Sequence, residues 1–166
     1  MDKGQQMSFR SLEWLFPVVI TLHNAEEAIW LPEWTKRTER WPMRVTPGAF
    51  RFAVAVLTVL VYALTWLSAV SGKQSVWTYL AFGSMAVTLA NVLIPHLAAT
   101  IALRSYMPGV ATAVLLNLPA LTLLVVLALR EGYVSGWKSI AYSFGVAGVL
   151  VASVPALFKL EEKLGF

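Results

Sequence analysis

The stretch Ala49-Phe-Arg-Phe-Ala-Val-Ala-Val-Leu-Thr-Val-Leu-Val-Tyr-Ala-Leu-Thr-Trp-Leu-Ser-Ala-Val70 carries a single charge, Arg51, near its start. A helix needs about 20 apolar residues to cross the hydrocarbon core of a bilayer. A run this long with no polar face does not suit the surface of a soluble domain. Residues 76–103, 109–129 and 138–158 read the same way. Residues 11–31 qualify by length but include Glu13, His23, Glu26 and Glu27. That segment is expected to turn its acids into a bundle interior; a re-entrant or interfacial helix is the alternative. The fold class expected is all-α, a polytopic integral membrane bundle of five transmembrane helices. Residues 1–166 form a single transmembrane domain, with a charged, proline-bounded interfacial loop or short helix at 32–48.

Composition agrees. Of 166 residues, 58% are hydrophobic and 13% charged, the latter about half the usual share for a soluble chain. A chain this short buries only about two-thirds of its surface, and the polar residues are too few to cover the rest. The net charge of +4 comes from basic residues lying between apolar runs, where they act as topology signals. No basic stripe with interleaved aromatics occurs, so nucleic-acid binding is not expected. Cysteine is absent, which removes disulfides, thiolate metal sites and a cysteine nucleophile. The first apolar run meets no small-residue cleavage site and is taken as part of the mature protein.

Five spans place the termini on opposite sides. Lys3, Arg10, Lys73, Arg130 and Lys138 fall on one side; Lys36, Arg37, Arg40, Arg44, Arg51, Arg104, Lys159 and Lys163 fall on the other. The richer side is assigned to the cytoplasm. The expected location is the cell inner (cytoplasmic) membrane, multi-pass, with the N-terminus outside and the C-terminus cytoplasmic. Trp14, Trp30, Trp34, Trp66, Trp77 and Trp137 lie near span ends, as interfacial anchors do. Ala141, Gly145, Gly148 and Ala152 form a small-residue stripe expected to serve helix packing.

The scarce charge concentrates in His23-Asn24-Ala25-Glu26-Glu27. On a helix, His23, Glu26 and Glu27 fall within an arc of about 100°. One imidazole and two carboxylates on one face can chelate a divalent metal, and within a span each unpaired charge costs about 3 kcal/mol or more. The second histidine follows a proline, in Asn91-Val-Leu-Ile-Pro95-His96. Pro95 takes away the helical partner of the Asn91 carbonyl. In this topology His23, His96 and Asn117 each lie about 12–13 Å from the same membrane end, counted at 1.5 Å per residue. They are therefore expected at one depth, with Glu26 and Glu27 a turn nearer the cytoplasm.

The His-x-x-Glu-Glu signature, a second histidine on a later span and the segment Arg104-Ser-Tyr106-Met-Pro108-Gly109-Val-Ala-Thr112-Ala resemble the HXXEE-domain family of small bacterial membrane proteins. The resemblance covers roughly residues 12–119. It implies a polytopic helical membrane protein of uncharacterised function, with hallmark positions His23, Glu26, Glu27, His96, Tyr106, Pro108 and Gly109.

The leading functional expectation is a metal-dependent membrane hydrolase or oxidoreductase acting on a lipid-like or small hydrophobic substrate. His23, His96 and Glu26 or Glu27 are the candidate ligands of a divalent metal, zinc or iron. The glutamate left over would be a general base. Asn91, Asn117 and Tyr106 are candidates to orient ligands or substrate. A di-iron centre is under-supplied with carboxylates. Two other readings stay open: proton or cation transport, and a structural or partner-binding core in which His23 pairs with Glu27 and His96 with Asn117. For Tyr106-x-Pro108-Gly109 a simple turn starting the fourth span is favoured. A separation of the two histidine rings beyond about 8 Å, with no carboxylate between, would rule out one shared metal. Oligomeric state is not specified by the sequence.

Overall fold

The computed structural model describes residues 7–41 and 44–164. Asp2 and Lys3 lie outside them. Among the described residues the structure is helical, without strands. A short α1 (Phe9–Leu12) is followed by α2 (Leu15–Arg37), α3 (Pro47–Ser71), α4 (Val76–Leu103), α5 (Val110–Arg130) and α6 (Gly136–Leu164). The last four are long and apolar enough to cross a membrane.

Helix α2 does not meet that standard of apolarity, yet its polarity is arranged inside out. Phe16, Ile20, His23, Glu26 and Leu31 are buried, whereas Val18, Leu22, Ile29 and Trp30 are exposed. A water-facing helix would not expose four large apolar side chains while burying a histidine and a glutamate; here apolar residues lie on both faces. This helix also runs beyond the expected end of the first span: residues 32–37, read from sequence as part of an interfacial loop or short helix, continue it. Proline at position 32 removes the hydrogen bond to the carbonyl four residues earlier, at Ala28. Arg51 Nε on α3 donates to that freed carbonyl at 3.1 Å, so the helix passes through Pro32 with the acceptor satisfied.

Two apolar clusters lie at opposite ends of the bundle. One joins Phe9, Phe16, Tyr79, Leu124 and Val134; the other joins Leu31, Val45, Phe50, Ala99 and Met107, with Phe158 against it. At the first end Glu13, read from sequence as facing the interior, is buried between α1 and α2. It accepts from Arg10 at 3.1 Å and from Ser68 at 3.2 Å. The α5–α6 connection is tied there to the α3–α4 turn: Lys73 Nζ donates to Glu131 O and Gln74 Nε2 to Gly132 O.

The small-residue stripe does not mediate the close approach within the chain. Ala141, Gly145, Gly148 and Ala152 are all exposed, and a Cβ placed on Gly145 or Gly148 would meet nothing within 4 Å. Helices α4 and α6 instead meet at Gly83, where a Cβ would stand 3.0 Å from the Tyr142 carbonyl oxygen and 3.1 Å from Val146 Cγ2. Gly83→Leu is expected to cost about 1–3 kcal/mol through overpacking. Gly148→Leu is expected to leave stability unchanged or slightly higher. Thermal unfolding of the two purified variants checks this; equal melting temperatures would contradict the packing described.

Candidate metal centre

Three elements with different local chemistry converge on one point. The first is the buried face of α2, which presents His23, Glu26 and Glu27 at helical spacing. The second is an interruption in α4. The residue before a proline is disfavoured in the helical region, and Ile94 is extended there (φ −131°, ψ 116°). Pro95 restarts the helix and His96 follows, fully buried. The third is the start of α5. Residues 113–117 widen ahead of Pro119, which has no amide to donate to the regular ladder.

Gly109 is where α5 touches the other two elements. Its φ is +93°, a conformation disfavoured for residues with a Cβ. A Cβ there would stand 2.5 Å from His96 Cε1, 2.9 Å from Glu27 Cγ and 3.0 Å from His23 Cε1. The turn expected at Pro108-Gly109 is present, with the Val110 amide donating to Met107 O at 3.1 Å. The glycine is also the only residue type that lets a helix N-terminus approach both histidines so closely.

Both oxygens of Glu26 are taken by this N-terminus. Oε1 accepts from the Tyr106 hydroxyl and from the Gly109 amide (2.8 Å); Oε2 accepts from the Thr112 amide (3.0 Å) and the Thr112 hydroxyl (2.6 Å). A carboxylate at the first turn of a helix satisfies donors that lack intrahelical partners and sits at the positive end of the dipole. Partial desolvation of the Tyr106 hydroxyl and its bond to Glu26 push its pKa up to about 12, so it stays a donor at neutral pH. The sequence reading offered Glu26 as a ligand or base. Both its oxygens are engaged by these four hydrogen bonds, and the group of His23, Glu27 and His96 that could hold a metal does not include it.

Thr112 carries the arrangement one step further. Its single hydroxyl proton goes to an acceptor, Glu26 Oε2 at 2.6 Å or the Gly109 carbonyl at 3.2 Å. His23 Nδ1 lies 3.0 Å from the same hydroxyl oxygen and must therefore supply a proton to it. The chain Tyr106–Glu26–Thr112–His23 thus fixes the His23 tautomer with hydrogen on Nδ1. The Nε2 lone pair is left facing inward.

What faces it is Glu27 and His96. His23 Nε2 is 3.8 Å from Glu27 Oε2, and His96 Nε2 is 3.5 Å from Glu27 Oε1. The two imidazoles are perpendicular, with ring centroids 4.8 Å apart. One ligand atom from each of the three residues lies within 4.8 Å of the others, so the group could hold a metal ion. Bonds of about 2.0–2.1 Å to one tetrahedral centre set ligand atoms roughly 3.3 Å apart, so the group needs to contract only modestly. His23 Nε2 and both nitrogens of His96 are buried without a hydrogen-bond partner, as metal-ligand nitrogens would be in the absence of the ion. The donor set, two imidazoles and one carboxylate, suits zinc or iron.

The remaining sequence candidates fall around this group. Asn91 lines the cavity beside it. Asn117 is buried, with neither amide atom hydrogen-bonded; the pairing of His96 with Asn117 is therefore replaced by His96 with Glu27. Thr112 was missed as a site residue. Its one sequence signal is a hydroxyl residue three positions after a glycine that opens a helix.

With this geometry in hand, the comparisons with known proteins give a family. Residues 14–124 match the family described as "Protein of unknown function with HXXEE motif". The chain belongs to the HXXEE family. It is 39% identical over 153 residues to "Uncharacterized protein YrkK" of Bacillus subtilis (strain 168), covering 90% of this chain and 94% of that protein. No solved structure matches. The letters of the HXXEE name correspond here to His23, Glu26 and Glu27, which the structure divides between two jobs: Glu26 binds the α5 N-terminus, and His23 and Glu27 face His96.

Variants at Thr112, Glu26 and Glu27 separate these jobs. Nitrogen-15 NMR of the imidazoles should show His23 protonated on Nδ1 in wild type and in Thr112→Ser. Thr112→Val should shift it toward the other tautomer or a mixture; an unchanged spectrum would contradict the relay. Glu26→Ala orphans several donors at about 1–3 kcal/mol each and should destabilise the fold far more than Glu27→Gln, as thermal unfolding will show.

Proposed function

We propose that this HXXEE protein is an integral membrane protein of five spans, with its C-terminus in the cytoplasm, and that it is a metal-dependent enzyme acting on a lipid-like substrate. The inside-out polarity of α2 supports counting it as the fifth span. The eight basic residues assigned to the 36–51, 104 and 159–163 end support the orientation.

The observation that carries the functional reading is the ligand group itself. His23, Glu27 and His96 come from two separate helices, and a glycine is required for α5 to close over them. Three of their ring nitrogens lack a hydrogen-bond partner, which is costly in a buried site unless something binds them. Three protein ligands leave coordination positions open, and a bound divalent metal there would supply Lewis acidity and an activated water. The chain's own residues supply the rest. Thr112 and Glu26 hold His23 in the ligating tautomer, and Glu27 bridges the space between the imidazoles. Asn91 stands at the cavity wall, where it can position a polar substrate group.

Hydrolysis and oxidation both remain compatible with this donor set. Ion transport is less well supported. The cavity leading away from the group is lined mainly by aliphatic side chains, whereas a relay needs a succession of polar or ionisable ones.

Metal analysis of the purified protein tests the reading. Wild type is expected to carry close to one divalent metal per chain, and His23→Ala and Glu27→Gln to lose it. Equal and negligible metal in all three would overturn the enzyme reading.

A further inference from the structure

The ligand group opens onto a cavity of about 910 Å³ bounded by α2, α3, α4 and α6. Its lining runs along α3 from Phe50 to Leu64 and along α6 from Ala141 to Val154. At 1.5 Å per residue each stretch is about 20 Å long. Phe50 belongs to the apolar cluster that includes Ala99 and Met107, so that end of the cavity is the His96 end. Leu64, Leu80 and Ala141 mark the other end, beside the stacked Tyr79 and Tyr142 rings. The space is therefore elongated along the helices, most polar at one end and mainly aliphatic along the rest, where Ser84, Thr88 and Tyr142 interrupt the aliphatic lining.

Its rim lies at mid-helix. Leu60, Val149 and Val151 line the cavity and are also half or more exposed on the outer face of the bundle. Gly145, one turn before Val149 on α6, also lines the cavity, with nothing within 4 Å of where its Cβ would be. The opening thus faces sideways, in the middle of two helices long enough to span a membrane. Glu27 is the one charged side chain in the lining, and no lysine or arginine contributes to it. Without a metal bound, the side chains offer an anionic head group one carboxylate and no lysine or arginine.

The geometry points to a binding site for a single-chain neutral amphiphile that enters from the bilayer between α3 and α6, with its ester or alcohol head at His23, Glu27 and His96 and its tail along the cavity toward Leu64 and Ala141. This deepens the proposed function by naming a substrate class, and it rests on that reading only for the reactivity of the head end. Moving a tail from lipid into an apolar cavity gains little hydrophobic free energy, because both surroundings are apolar. Selectivity must then come from the polar end and from shape, so a positional assay is more informative than an affinity.

The full chain in phosphatidylcholine vesicles would be photolabelled with two fatty-alcohol probes, one with a diazirine next to the head and one with it at the tail end. The head-proximal probe should label residues around Asn91 and His96; the tail-end probe should label Leu64, Leu80 or Ala141. Gly145→Trp, which fills the cavity, should reduce both labels about five-fold or more, while Gly148→Trp, outside the lining, should leave them unchanged. Labels confined to outward residues such as Leu115 and Val126, or insensitive to Gly145→Trp, would overturn the site. So would cross-links between two chains through Gly145, since a second copy would then cover the groove. In-register labelling that persists in Glu27→Gln, in a protein found to carry no metal, would retain the binding site and reject the enzyme reading.

Discussion

The carboxylate of Glu26 accepts four hydrogen bonds, from Tyr106, Gly109 and Thr112. A buried carboxylate is tolerable only when donors replace the water it has lost, and the free amides at the start of α5 are donors without intrahelical partners. Each side solves the other's problem, and the solution fixes α2 against α5. Much else follows from that contact. Position 109 must be glycine, because the helix start now presses on both histidines. The Thr112 hydroxyl, held by Glu26, orients His23. Glu27, the neighbouring residue, is left without a donor and turns to the imidazoles.

The site depends equally on irregular backbone. A regular α4 would place His96 in register with its own ladder. The extended Ile94 ahead of Pro95 breaks that ladder, and the widened turns of α5 lie across from it. In an apolar bundle, such breaks are tolerated only where the freed groups face protein or a polar cavity. Here they lie beside the only part of the interior that combines two histidines with a carboxylate among the described residues.

Much of this was legible in the sequence because it follows from period and length. The four long apolar helices read directly from their hydropathy, and counting residues from the span ends brought His23 and His96 to one depth; their rings are 4.8 Å apart. The division of labour between Glu26 and Glu27 was not legible. Adjacent residues differ by about 100° around a helix, and only the position of α5 decides which of the two meets it. Thr112 escaped for the same reason: its role comes from a partner 89 residues away in sequence. The extension of α2 through Pro32 depends on Arg51 reaching the Ala28 carbonyl, a tertiary contact that no local rule supplies. The small-residue stripe on α6 was misplaced because composition marks a face that permits close approach, not the neighbour that uses it. That neighbour is met at Gly83 instead.

X-ray absorption at the metal edge of the loaded wild-type protein tests the account most directly, since it reads the ligands rather than their consequences. The account predicts two imidazole nitrogens and carboxylate oxygen at about 2.0–2.2 Å, with one imidazole's scattering lost in His96→Ala. A spectrum without histidine scattering, or one unchanged by His96→Ala, would contradict it.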